Sequence, residues 1–401
     1  MVRETWEQLG NRSQPWLLRV CDKAGVALEQ ISDPSSASMV LRHGATDTGS
    51  VTLPADHPRV PMLMADGARY VLQSTYTGTR LSSGTIRGDQ GNGKPVPSTD
   101  GLTKVDGSAT WNLVDDHALL SDVNAAPPAG ETHDRLTGSA ETVAKTLIGT
   151  ALTRVGIPHS IQADEGRGGT IKVAARWQPL SDVLYPVVTN AGIGIRVRWV
   201  TEDAEFHVST YEPVEWPVTL TPESGAVDDW SWSRTYPTAT RVVVLGPGEG
   251  DARVKVEVPD AALETALGTV REVVVDARDV ADIDAGAGRT LTDVENDLQA
   301  RGDQALAEAA RTVGVELALA KTVELAYGSP TSFEIGDVLK VELVPDRSNL
   351  RLPVEEVALS YTPDKGFTVD PRVGRLEKST SRYLARRVHH LAVETRKLKA
   401  R

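Results

Sequence analysis

The chain has 401 residues and a formal net charge of -12. That length predicts two or three domains, and the acidic balance argues against a general DNA-coating role, which needs clustered Lys and Arg to neutralise phosphate. Cys21 is the only cysteine, so an intrachain disulfide and a Cys-based zinc site are excluded, and stability must come from burial or oligomerisation.

The apolar share of 40% is that of a folded protein. Eight Trp and eight Tyr against three Phe suit packed β-surfaces and interfaces with one wet edge. There is no basic-then-apolar leader, and no run approaches the roughly 18 apolar residues of a membrane span. The expectation is synthesis in a cytosol without signal-directed export.

The N-terminal part reads as short strands. Gly49–Leu53 is a strand ended by Pro54. Arg69–Tyr76 is another, and Leu81–Ile86 follows with a bend at Ser83-Gly84. Residues 88–101, rich in Gly, Pro, Ser and Asp, read as an exposed loop. Trp111–Leu120 begins as a strand and continues into a short helix. The Ala125–Gly130 stretch, with Pro127-Pro128, is a domain boundary.

Next comes an α+β unit. Ser139 is placed as an N-cap, followed by Val143, Leu147 and Ala151 at helical spacing. A second short helix is expected near Pro179–Asn190, then a hairpin of Gly194–Val200 and Glu205–Thr210. The final third is β again. Arg241–Leu245 is continuously apolar after its first residue, as a strand buried on both faces would be. Residues 291–312 form a helix with Leu291, Val294, Leu298, Ala305 and Ala309 near one stripe. Alternating runs follow, Val313 to Leu319 with Val323, Leu325 and Tyr327, then Leu339 to Leu343, then Val357 to Tyr361. They predict an antiparallel sheet or barrel. Residues 375–401 carry nine Arg or Lys against two Glu, with Leu384, Val388 and Leu391 on one helical face.

The chemical motifs are sparse. Asp276, Asp279, Asp282 and Asp284 lack the spacing of a calcium loop. Gly91-Asn92-Gly93-Lys94 is followed by Pro95 rather than Ser or Thr, so a surface turn is expected in place of a phosphate loop. Arg87-Gly88-Asp89 is too short to use. Asp115-Asp116-His117 and Asp228-Asp229 are the densest candidates for hydrolysis, but adjacent acids on a strand point to opposite faces. No Gly-x-Ser-x-Gly elbow occurs. His389-His390 lies in the basic tail and does not read as a zinc site. Trp216, Trp230 and Trp232 read as core or subunit packing, with sugar stacking as the alternative.

The order of several phrases carries a resemblance over roughly residues 15–375. The first set is GSVTLPADHP, MLMADGARYVLQ and SGTIRG. The second is SAETVAKTLIG, WQPLSDVLYPVVTNAGIGIRVRW and FHVSTYEP. The third is RVVVLGPGEGDARV, REVVVDARDV and YGSPTSFEIGDVLKVEL. Together they resemble the tail-tip hub, or minor tail, proteins of actinobacterial siphophages, similar in turn to the baseplate hub proteins of contractile-tailed phages.

The resemblance implies a mainly β fold with α+β parts. Two hub-type β-barrel domains, residues 1–130 and 214–375, would flank a small α+β domain at 131–213, and a basic amphipathic helix would occupy 376–401. It implies a homotrimer in the virion tail tip, assembled in the host cytoplasm, that joins a six-fold tube to a three-fold tip. The implied partners are a distal tail protein or tail-tube ring, the tape-measure C-terminus and other tip proteins, with DNA in non-specific passage. No enzymatic activity, catalytic residue, cofactor or metal is expected. A receptor- or carbohydrate-binding protein and a cell-wall hydrolase are the alternatives. The expected interface set is Tyr383, Leu384, Val388, Leu391, Arg382, Arg386 and Arg387, with a solvated tail as the bland reading.

Overall fold

The computed structural model describes residues 15–97, 103–131, 133–278, 280, 282–283, 289–310, 313–319, 327–342 and 350–374. The described residues form two compact units. One is built from residues 15–231 and 316–374, the other from 232–315.

The first unit opens with β1 (Trp16–Cys21), β2 (Ala27–Ile31), β3 (Ser36–Arg42), β4 (Thr48–Pro54), α1 (Val60–Leu63), β5 (Arg69–Ser74), β6 (Arg80–Pro97), β7 (Thr103–Asp115) and α2 (Ala118–Asp122). It continues with β8 (Asp134–Ser139), α3 (Ala140–Val155), β9 (His159–Ile161), β10 (Thr170–Ala175), α4 (Leu180–Asn190), β11 (Gly194–Val200), β12 (Glu205–Tyr211) and β13 (Glu215–Leu220). Strand β14 (Val227–Arg234) leads the chain into the second unit. That unit holds β15 (Arg241–Leu245), β16 (Lys255–Pro259), α5 (Ala261–Leu267), β17 (Glu272–Asp276) and α6 (Leu291–Ala309). Strand β18 (Val313–Leu319) leads back to β19 (Val338–Val341), β20 (Leu350–Thr362) and β21 (Gly366–Gly374). The fold is mainly β with α+β parts, as the sequence predicts.

Alternation explains the main sheet. In β3, Ala37, Met39 and Leu41 are buried and their neighbours are not, so one face meets the core. Strand order runs β21-β20-β3-β4-β7-β6-β5-β1-β2, with β19 also on β20. Strands from the two ends of the unit therefore share one ladder, in which Val357 faces Leu41 and Leu359 faces Met39.

The stretch expected to be an exposed loop is instead the outer half of a long ribbon. Strands β6 and β7 pair from Gly84 opposite Asp115 out to Pro97 opposite Thr103. A two-stranded ladder satisfies its backbone without burying side chains, so Gly and polar residues there do not forbid it. Gly84 also takes no part in a bend. A Cβ at Gly84 would lie 2.0 Å from the Val114 carbonyl oxygen, so glycine permits close approach of the two backbones.

The α+β part follows its predicted signals closely. Ser139 caps α3 by accepting a hydrogen bond from the Thr142 amide at 3.2 Å. Gly156, left-handed at φ 72°, closes the helix. Val143, Leu147, Ile148 and Leu152 pack with Leu180 and Leu184 of α4 and with Ile195, Val197 and Val208 of the hairpin. Each such side chain contributes roughly 1.5–3 kcal/mol on burial.

In the second unit, β15 lies between β16 and β17, and Val242 and Val244 pack against Val294 and Leu298 of α6. Leu291, expected on that stripe, is exposed.

Candidate functional site

Strand β7 delivers Asp115-Asp116-His117 into the start of α2, and the three side chains diverge. The Asp115 carboxylate accepts a hydrogen bond from the Asp47 amide at 3.0 Å. Asp47, at the end of the β3–β4 turn, accepts from the Arg42 amide at 2.7 Å. The two acids thus converge from distant sequence positions. Burial is the first cause that pushes both upward from the usual carboxylate range, and their mutual repulsion adds to the shift of Asp115. Both carboxyls are thereby biased toward the neutral form.

Asp116 turns the other way. It forms a buried ion pair with Arg69 and accepts from the Ser83 hydroxyl at 2.7 Å and the Trp199 amide at 3.1 Å. The Arg69 guanidinium lies 5.0 Å from the centre of the Trp199 ring and 5.9 Å from that of Phe206. The Asp116 carboxylate thus accepts from three donors and ties the end of β7 to β5, β6 and β11.

His117 Nε2 accepts the Val197 amide at 3.2 Å, which leaves the ring proton on Nδ1, 3.2 Å from the Tyr185 oxygen. Burial, then the charges of Arg196 and Arg198, push this imidazole down to about 4, and it is neutral at physiological pH.

A cavity of about 480 Å³ opens between these elements. Asp47 and Asp115 line it. Arg80 from β6, Arg196 and Arg198 from β11 and residues of the 327–335 segment also line it, with the three arginines close together. Residues 196 and 198 are two apart on a strand and share a face. Arg80 donates to the Trp199 carbonyl at 2.8 Å, which draws it beside them. Sequence reasoning missed Asp47 and these arginines. The Arg-Val-Arg alternation of residues 196–198 was the available signal for two of them.

The other candidates disperse. Asp228 and Asp229 are both exposed on β14. Trp216 is buried, with Nε1 donating to the Thr331 carbonyl at 3.0 Å, while Trp230 and Trp232 are exposed. Lys94 of the glycine-rich stretch pairs across the ribbon with Asp106 at 3.5 Å. Arg87 of the Arg-Gly-Asp tripeptide donates to Asp122 at 2.9 Å. Asp276 binds Arg253, while Asp279 and Asp284 lie outside the described residues, as do Val323, Leu325 and Leu343. Among the described residues no cluster of His, Cys, Asp or Glu is arranged to hold a metal, and no helix is long and apolar enough to cross a membrane. The expected interface set, Tyr383, Leu384, Val388, Leu391, Arg382, Arg386 and Arg387, lies outside the described residues, as does His389-His390.

Comparison with known proteins places this architecture. The fold is similar to the 43 kDa tail protein of prophage MuSo2 from Shewanella oneidensis, with a TM-score of 0.54 at 12% identity over 90% of this chain and 98% of that one. It is also similar to a tail protein from Neisseria meningitidis MC58, with a TM-score of 0.52 at 12% identity over 90% and 97%. No curated protein sequence matches the chain. The family described as Siphovirus ReqiPepy6 Gp37-like protein matches residues 17–375. The expected resemblance to siphophage tail proteins is thereby borne out, and the chain belongs to the Siphovirus ReqiPepy6 Gp37-like family.

Proposed function

We propose that this chain is the structural hub of a phage tail tip. In this reading a homotrimeric ring joins the six-fold tail tube to a three-fold tip and provides the channel for tape-measure and DNA release. The observation that carries it is the family match over residues 17–375. The fold likeness to two tail proteins, one of them from a prophage, along nearly their whole length supports it. Two barrel-like domains around the α+β part would supply the ring. The partners are a distal tail protein or tail-tube ring, the tape-measure C-terminus and other tip proteins, and DNA passes without sequence-specific contact.

The role is one of geometry and not of catalysis. The polar groups at Asp116 and His117 are consumed by hydrogen bonds within the fold, which suits a scaffold. Residues 376–401 serve as a docking helix in this reading, with Leu384, Val388 and Leu391 toward the partner.

Light scattering on the purified chain tests the assembly, with an expected mass of three subunits of 43.0 kDa. A single-subunit mass at micromolar concentration, with a tail reconstruction that lacks a three-fold hub, sinks the proposal. Truncation after Arg375 is expected to lower trimer or tail-tip yield. A zymogram on host cell wall is expected to show no clearing.

A further inference from the structure

We infer that the cavity between β6, β11 and the 327–335 segment is a binding site for a small phosphate-type oxyanion. The first observation is a charge imbalance. In a chain of net charge -12, Arg80, Arg196 and Arg198 come close together in the cavity lining. Arg196 meets the exposed Glu334 at 3.4 Å and lies 4.8 Å from the centre of the Tyr211 ring. Arg80 spends one donor on the Trp199 carbonyl. Among the described residues neither Arg80 nor Arg198 has a carboxylate partner. Burial, then repulsion from Arg196 and Arg80, lowers Arg198 below its ordinary range. Three neighbouring guanidinium groups that share a single exposed carboxylate, Glu334, are stabilised further by an anion, and their planar forks match its oxygens.

The acids in the lining do not supply the missing counter-charge. Asp47 and Asp115 favour the protonated state, for the reasons given above, so they are far less negative than two carboxylates would be.

The second observation is independent of charge. The Ser329 hydroxyl is buried, belongs to the lining segment and has no hydrogen-bond partner among the described residues. An orphaned buried hydroxyl is costly unless a ligand takes its proton. Its position is held from below. The Ser74 and Thr77 hydroxyls donate to the Gly328 carbonyl at 2.8 and 3.1 Å. Gly328 is left-handed at φ 84°, and a Cβ there would meet Leu81 and Ser74 at 2.9 Å. The segment that carries Ser329 is therefore fixed in place. The volume falls within the range of small-molecule sites, so the phosphate is either free or carried on a small ester.

Calorimetric titration of the full chain with inorganic phosphate and, separately, with glycerol 3-phosphate tests the site, at ionic strength matched with chloride. Saturable binding of one anion per chain is expected, and the preferred arm tells free phosphate from ester. Arg198→Gln is expected to weaken binding roughly 10- to 100-fold, the loss of one charge-assisted contact. Arg135→Gln, at an exposed position on β8, is expected to leave it unchanged. Absence of saturable binding in both arms overturns the proposal, as does equal binding by Arg198→Gln. If that variant does not fold, Arg80→Gln and Ser329→Ala carry the same expectation, and unchanged binding in both overturns it.

Discussion

Two buried acids in the first unit reach opposite charge states, and the contrast lies in what surrounds them. Glu141, in the first turn of α3, is fully buried. Burial alone would raise it, but the donors around it prevail. They are Lys145 Nζ, the Arg167 amide at 2.8 Å, the Thr210 hydroxyl at 2.7 Å and the Glu165 amide at 3.2 Å. Its carboxyl is held at about 2, where the N-terminal end of the helix also favours the anion. Asp115 is about as deeply buried, but there burial prevails and the neighbouring acids add to it, so it moves the other way. Depth does not decide the charge of a buried carboxyl. The count and sign of its donors do.

The largest expected effect comes from breaking the satisfied site. Glu141→Ala leaves Lys145 buried without its partner, and a loss of about 3–5 kcal/mol is expected in urea unfolding. A loss below about 1 kcal/mol would show that the Glu141 donors contribute little, and the contrast would fail.

The pH dependence separates the two acids next. Glu141 has a folded value of about 2 against an ordinary 4.5. Its contribution is full above pH 4.5 and is lost as pH falls toward 2. Neutral buried His117 adds to acid sensitivity, with stability lost as pH falls from 6.5 toward 4. Asp115 and Asp47 behave in the opposite sense. Their contribution is full below the ordinary value of 3.8 and is lost as pH rises through their raised folded values. Melting temperature against pH is therefore expected to fall on both sides of a maximum, and Glu141→Gln is expected to flatten the acid side.

Asp115→Asn mimics the protonated acid and keeps an oxygen for the Asp47 amide. A gain of the order of 1 kcal/mol is expected at pH 8, with none at pH 4. Equal effects at both values would mean that Asp115 carries no raised titration. The smallest effect is expected where water does the screening. Lys94→Ala breaks the exposed pair with Asp106 and is expected to shift stability by less than about 0.5 kcal/mol.

Local signals in the sequence were legible where one element sets its own structure. The Ser139 cap, the continuous apolar run of Val242–Leu245 and the alternation in β18 each depend on residues within a few positions. The ribbon of β6 and β7 was illegible because Gly91, Gly93 and Pro95 argue for a loop, and only the partner strand reveals the ladder. The convergence of Asp47 with Asp115 was hidden for the same reason, since the turn after β3 must fold back against the end of β7. Adjacent acids did diverge as period-two geometry requires, with Asp115 and Asp116 serving separate clusters. Of the cavity, only the Arg196/Arg198 face was readable, and what it faces comes from elements far along the chain.

Strand β3 is complete early in translation, yet Arg42 bonds a residue on β20 that lies 314 positions later. At roughly 5–20 residues per second, that edge waits roughly 15–60 s for its neighbour to leave the ribosome. An open strand edge invites pairing with other chains, so the nascent protein passes through a long interval of vulnerability. A polypeptide broken off before residue 350 never leaves that state and presents a bare edge where the finished chain has a closed surface. Pairing with β20 thus ends the exposure of the β3 edge.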